Sequence, residues 1–165
     1  MPETPEDRLA GILAARKAKD DAAQQAAEQV RTNDAEEVRR MDAWRSQFTE
    51  QVVPKIVAAQ QRAEAVIGNG GYALMHIHSR VEHHLFGPMP NSAYQLNCPP
   101  RANGSQTEKA LPPVPAIISF ALTRDGQVQS TVAGLADSSV EIDKFTEDDA
   151  MNEFERFIRH ALLGG

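Results

Sequence analysis

The spacing of apolar residues changes character twice along this chain, and each change predicts a different element. From Pro5 to Arg31 the residues are mostly Ala, Gln, Lys, Arg and Glu, all good helix formers. Thr4 is placed to cap, Pro5 suits a first helical turn, and Asp7 follows Thr4 by three residues, which is capping-box spacing. Leu9, Ile12 and Leu13 form a short apolar patch, and Val30 is the only larger apolar residue between them and Val38. The prediction is a helical arm over residues 1–32 with strong propensity and a weak apolar face. Such a helix gains little from its own burial and needs support from elsewhere. Its heptad signal is too poor for a two-stranded coiled coil. Asn33, with Glu36 three residues on, offers a second cap. The pattern therefore admits either a break near Arg31 or one unbroken rod.

The next stretch has a real stripe. Val38, Met41, Trp44, Phe48, Val52, Ile56, Ala59, Ala63 and Val66 form it, and Met41 to Val66 is 25 residues in seven steps, an average of about 3.6, the period of a straight helix packed on a globular body. Pro54 falls inside it and should kink or split the helix near Val53. Gly68-Asn-Gly-Gly71 then supplies a left-handed stop.

After Gly71 the period becomes two. Ala73, Met75, Ile77, Ser79, Val81, His83 and Leu85 read as the apolar face of a strand; Leu74, His76, His78, Arg80, Glu82, His84 and Phe86 read as the polar, outward face. The run is long for one strand, so a bend near Arg80 is expected. Residues 87–115 hold seven of the ten prolines and read as an irregular Pro-rich loop with a short extended piece near Tyr94–Leu96. Ile118, Phe120 and Leu122 mark one face of a further strand. Asp125-Gly126 signals a hairpin into a return strand with Val128 and Val132 inward. Val140 and Ile142 mark another short strand. Thr146 and Asp149 form a second capping box, and the helix they open buries Met151, Phe154, Phe157, Ile158, Ala161 and Leu162.

These elements define an α+β fold: a long N-terminal helical arm, then a small antiparallel sheet of about four strands, covered by one long helix and a C-terminal helix. The expected division is an arm at 1–32 and an α+β domain at 33–165.

Composition sharpens this picture in two places. Alanine supplies 24 residues, many in the first third, so the larger core-forming side chains belong to the later part. Net charge is −6, which argues against a nucleic-acid partner held by phosphate contacts. Residues 137–155 carry eight acids against the single base Lys144. That stretch either attracts basic partners or serves as a solvated face. No apolar run approaches the roughly 20 residues of a membrane span, and the N-terminal residues lack the apolar stretch of a signal peptide. One cysteine, Cys98, leaves no internal disulfide. The expectation is a cytoplasmic protein with no membrane partner.

The sharpest chemistry lies in Gly71–Gly87, which holds four of the five histidines, at 76, 78, 83 and 84. His76 and His78 share a strand face roughly 7 Å apart, a spacing that lets both imidazoles reach one Zn or Fe ion. Asp125, Cys98 or His160 would have to supply a third ligand, and none stands in a recognisable ligand spacing. A polar outer strand face explains the same residues without a metal. Cys98 lacks a base placed by sequence, and Gly68–Gly71 runs from helix to strand, the reverse of a phosphate loop. Trp44 sits in an apolar stripe and reads as core rather than interface anchor. No catalytic or cofactor-binding residue emerges.

Two functions follow as expectations. The first is a non-enzymatic protein-interaction or assembly module, self-associating or docking a partner through its helical arm, with Leu9, Ile12 and Leu13 as contacts and no cofactor. The alternative is a metal-binding protein or metal-dependent hydrolase using the His76–His78 pair. The order of elements alone is shared by many unrelated domains and selects neither.

Overall fold

The structure is a computed structural model that describes residues 4–99 and 116–164. Helix α1 spans Pro5–Gln47. It opens with the anticipated capping box: the Asp7 backbone N–H donates to Thr4 Oγ1, and the Thr4 N–H and hydroxyl donate to Asp7 Oδ2 at 3.1 and 2.7 Å. These donors hold the Asp7 carboxyl below the usual carboxylate range. No break occurs at Arg31. The side chains that would cap a new helix are engaged along the old one, with Thr32 Oγ1 donating to the Glu28 carbonyl and Gln29 Nε2 to Asn33 Oδ1.

The chain divides into two compact units, Met1–Arg40 and Met41–Gly165. Within the described part of the first unit every larger apolar side chain is exposed, and the only buried residue of α1 is Met41, beyond that unit.

In the second unit, α1 gives way to a π-helical turn at Phe48–Val52, followed by α2 at Val53–Ile67. Pro54 is the cause. It has no N–H for the carbonyl four residues back, and just before it the Val53 N–H reaches five residues back, to the Phe48 carbonyl. The helical stripe survives: Phe48, Val52, Ile56, Ala59 and Ala63 are all buried. Gly71, at φ +82°, supplies the left-handed stop after a 3₁₀ turn at Gly68–Gly70.

Among the described residues seven strands follow: β1 Ala73–Ile77, β2 Val81–His83, β3 Gly87–Met89, β4 Asn91–Asn97, β5 Ile117–Leu122, β6 Gln127–Val132 and β7 Ser138–Glu141. Five of them form one antiparallel sheet in the order β1-β4-β5-β6-β7, while β2 and β3 form a separate two-stranded ribbon between β1 and β4. Helix α3, Glu147–Leu163, closes the fold. Its Thr146–Asp149 capping box is complete, and Gly164 at φ +69° ends it.

The core lies between the helices and one face of the sheet. Ile118, Phe120, Leu122, Val128 and Val132 point into it, as their alternation requires, and meet Phe154, Phe157 and Ala150 of α3. Phe154 is central. Its ring centroid stands 5.4 Å from both Tyr94 and Phe120. Among the described residues, the buried polar ones on this face are Ser92 and Ser130. Ser130 and Ser138 donate to the two oxygens of Glu153 at 2.6 and 2.7 Å, and Arg156 completes the carboxylate shell at 2.9 Å. Burying that carboxylate is tolerated because every oxygen is satisfied.

The α+β architecture is the one the sequence predicts, with three differences of detail. The expected bend falls at residues 78–80, between β1 and β2. The stretch expected to be irregular contains β3 and β4, and β4 is the second strand of the main sheet. Pro90 and Pro99 bracket β4 rather than interrupt it, and Pro88 lies in the outlying ribbon, where a missing donor is tolerated. Finally, the face assignment of β1 is reversed. Leu74 is buried and Met75 is 48% exposed, because β1 pairs Leu74 with Leu96 and His76 with Tyr94, whose side chains face the core. Two motifs of the Pro-rich stretch, the glycosylation-type triplet Asn103-Gly-Ser and the polyproline-like run Pro112-Pro-Val-Pro, lie outside the described residues.

Candidate functional site

Three arrangements compete for the role of functional site. The first is the arm patch. Leu9, Ile12 and Leu13 lie at i, i+3 and i+4 of α1, one helical face, and are 62, 64 and 71% exposed. Capping fixes the helix start beside them, so the patch is presented on a formed helix rather than on a fraying end.

The second is the histidine group. Strand β1 carries His76 on the core side, at its solvent-exposed edge, and His78 follows just after the strand ends. Their ring centroids are 5.6 Å apart with planes nearly perpendicular. His76 also meets the Tyr94 ring edge-on at 5.3 Å. Burial raises the Tyr94 phenol above its ordinary range, and the Ser92 hydroxyl partly offsets this. The other pair, His83 and His84, stacks at 4.4 Å on the β2–β3 ribbon, with His83 also stacked on Phe86. Arg45 holds that ribbon by donating to the Phe86 and Pro88 carbonyls. Of the third ligands considered, Cys98 is exposed just beyond β4, Asp125 sits in the β5–β6 turn and His160 near the end of α3 beside Gly134. Among the described residues no group of three or more His, Cys, Asp or Glu is arranged to hold a metal ion.

The third arrangement was not anticipated. A groove of about 340 Å³ runs between the C-terminal part of α2 and α3. Its walls include Ala63, Val66, Ile67, Ile158, Leu162 and Leu163, with the ion-paired Glu155 and Arg159 also lining it. Val66 and Leu163 are 68 and 79% exposed. The sequence does carry its signal. Val66 ends the α2 stripe and Leu162 the α3 stripe, and both stripes run on past the point where the two helices cover each other. The Glu153–Ser130–Ser138 cluster was also missed, since a serine in an alternating strand gives no hint of a carboxylate above it. Its geometry is that of a satisfied tie between α3 and the sheet. It contains no base for either hydroxyl except a carboxylate already saturated by donors.

No protein-family model, curated protein or solved structure matches this chain. Among the described residues no helix is long and apolar enough to cross a membrane.

Proposed function

We propose that this chain is a non-enzymatic interaction or assembly module of the cytoplasm, which self-associates or docks a protein partner through its helical arm. One observation carries the reading: Leu9, Ile12 and Leu13 form a single apolar face on a capped helix and leave most of their surface in water. A helix of strong propensity and little burial is stabilised by whatever covers that face. Binding a helix by three aliphatic side chains at this spacing is a recurrent mode of protein recognition. The test is light scattering on the full chain and on a version lacking residues 1–32. The full chain is expected to run above its 18.1 kDa monomer mass, and the shortened one at its own monomer mass. Two monomers of equal stability would end the self-association half of the proposal.

A second reading is favoured by the 5.6 Å separation of the His76 and His78 rings. Two imidazoles this close are able to share one Zn or Fe ion, with a third ligand from a substrate, a water or another protein, and an open position would suit hydrolysis. Elemental analysis of untagged protein and a calorimetric zinc titration decide it. Stoichiometric metal that is lost in His78→Ala, with the fold intact, would support this reading over the first. The absence of both retained metal and zinc heat would reject it.

A further inference from the structure

The groove between α2 and α3 leaves Val66 and Leu163 68 and 79% exposed, and the chain itself carries an apolar helical face of the same chemistry. We infer that the groove receives the Leu9–Leu13 turn from the arm of a second copy, an inference that rests on the arm being the interaction element. The two surfaces match in chemistry. The groove is walled almost wholly by carbon, from Ala63, Val66, Ile67, Ile158, Leu162 and Leu163. The arm offers three aliphatic side chains on one helical face, and laying an apolar helical face into such a groove removes both from water.

The charges also match. Residues 8–19 contain Arg8, Arg16, Lys17 and Lys19 and no acid, a locally basic stretch flanked by Glu6 and Asp7 on one side and Asp20 and Asp21 on the other. Helix α3 contains Glu147, Asp148, Asp149, Glu153 and Glu155 against Arg156 and Arg159, a net −3; Glu147 and Asp148 share Arg62 of α2 in exposed pairs, and Asp149 caps the helix, so Glu147 and Asp148 remain open to exchange with a second cation. Arg16 is paired with Asp20 at 3.1 Å, yet both are well exposed, and such a pair yields readily to a better one. The match also sets a direction. With Leu9, Ile12 and Leu13 near Ile158 and Leu162, an arm antiparallel to α3 carries Lys19 about 10 Å beyond Ile12, toward the acidic start of α3 about 14 Å from Ile158. A parallel arm would point its lysines off the end of the helix.

A second copy is the occupant because every copy holds both halves. Reciprocal exchange covers two arms and two grooves in one closed, twofold dimer. Any other partner would leave each chain with a matching pair unused.

Sedimentation velocity on the full-length chain tests this with two double variants, Ile12→Glu/Leu13→Glu in the arm and Val66→Glu/Leu162→Glu in the groove. Wild type is expected to be dimeric. Each variant alone should associate at least tenfold more weakly. An equimolar mixture should recover a heterodimer, because it contains one intact arm and one intact groove. Full association of the groove variant alongside loss in the arm variant would overturn the groove as acceptor while the arm reading stands. Undiminished association of the arm variant would overturn both. A wild-type chain that stays monomeric at every concentration would overturn exchange between copies and leave the arm to a different protein. Circular dichroism confirms that each variant is folded. If the groove variant is not, Arg16→Glu/Lys17→Glu/Lys19→Glu replaces it, all three sites being exposed. That variant should weaken dimerisation at least tenfold in low salt and flatten its salt dependence, and unchanged dimerisation would overturn the charge match on which the assignment rests.

Discussion

Gly126→Ala should cost the second unit about 2–6 kcal/mol, the sum of a left-handed backbone penalty and an overpacking penalty. Gly126 turns the β5–β6 hairpin at φ +74°, a conformation that L side chains rarely adopt. The space is closed as well. A Cβ there would lie 2.5 Å from the Cε2 and Cζ2 atoms of Trp44. The turn itself is held in place, because the Thr123 N–H donates to the Gln127 carbonyl at 2.8 Å and the Ile142 N–H to the Gly126 carbonyl at 3.0 Å. A melting temperature lowered by roughly 10 °C would match this range. Trp44→Leu opens the space, so in that background Gly126→Ala should cost only the backbone part. A double-mutant cycle separates the two contributions, and purely additive effects would show that the indole does not rest on the turn.

Phe154→Ala should cost about 3–5 kcal/mol, the usual range for an aromatic deleted from a tight core. Phe154 is 0% exposed and sits edge-on to Tyr94, with interplanar angles of 74° to Tyr94 and 57° to Phe120. It joins α3 to two neighbouring strands at once, β4 through Tyr94 and β5 through Phe120. Ile118, Phe157 and Ala150 of the same core are themselves buried and packed, which limits how far the cavity collapses. Leu162→Ala on the same helix is the control. Leu162 is 39% exposed and should cost under about 1.5 kcal/mol. Chemical denaturation of both variants checks the ranking. Equal losses would place the core elsewhere.

What sequence revealed and what it hid follow one physical division. Local chemistry was legible. Thr4 with Asp7 and Thr146 with Asp149 declare their helix starts, Pro54 declares the disturbed turn, and Asp125-Gly126 declares the hairpin, because each depends on residues within about five positions. Clean alternation was legible too, as in Ile118, Phe120 and Leu122. Alternation failed at Ala73-Leu-Met-His-Ile, where apolar residues occupy both parities. Its inward face is set by Tyr94 and Leu96 on β4, some twenty residues later. Strand β4 itself was obscured because polar Asn91, Ser92, Gln95 and Asn97 mask it. Both of its faces nevertheless contribute buried residues, Tyr94 on one and Ala93 on the other. The arm patch was legible as three residues. The groove was not, since it is made by two helices more than eighty residues apart.

The sheet's two borders bear on how copies of this chain are able to meet. An unpaired strand edge invites another strand to add to it, the route to fibrils and strand-swapped aggregates. At the β1 border the outward backbone of Leu74 is occupied by α2 side chains, its N–H donating to Glu64 Oε1 at 3.2 Å and its carbonyl accepting from Gln60 Nε2 at 3.4 Å. At the β7 border the strand is four residues long, ends in Glu141 and runs straight into a 3₁₀ turn bearing Asp143 and Lys144. The β1 border is thus partly occupied by side chains and the β7 border is short and charged, and both features disfavour the strand-on-strand growth that a long open edge permits.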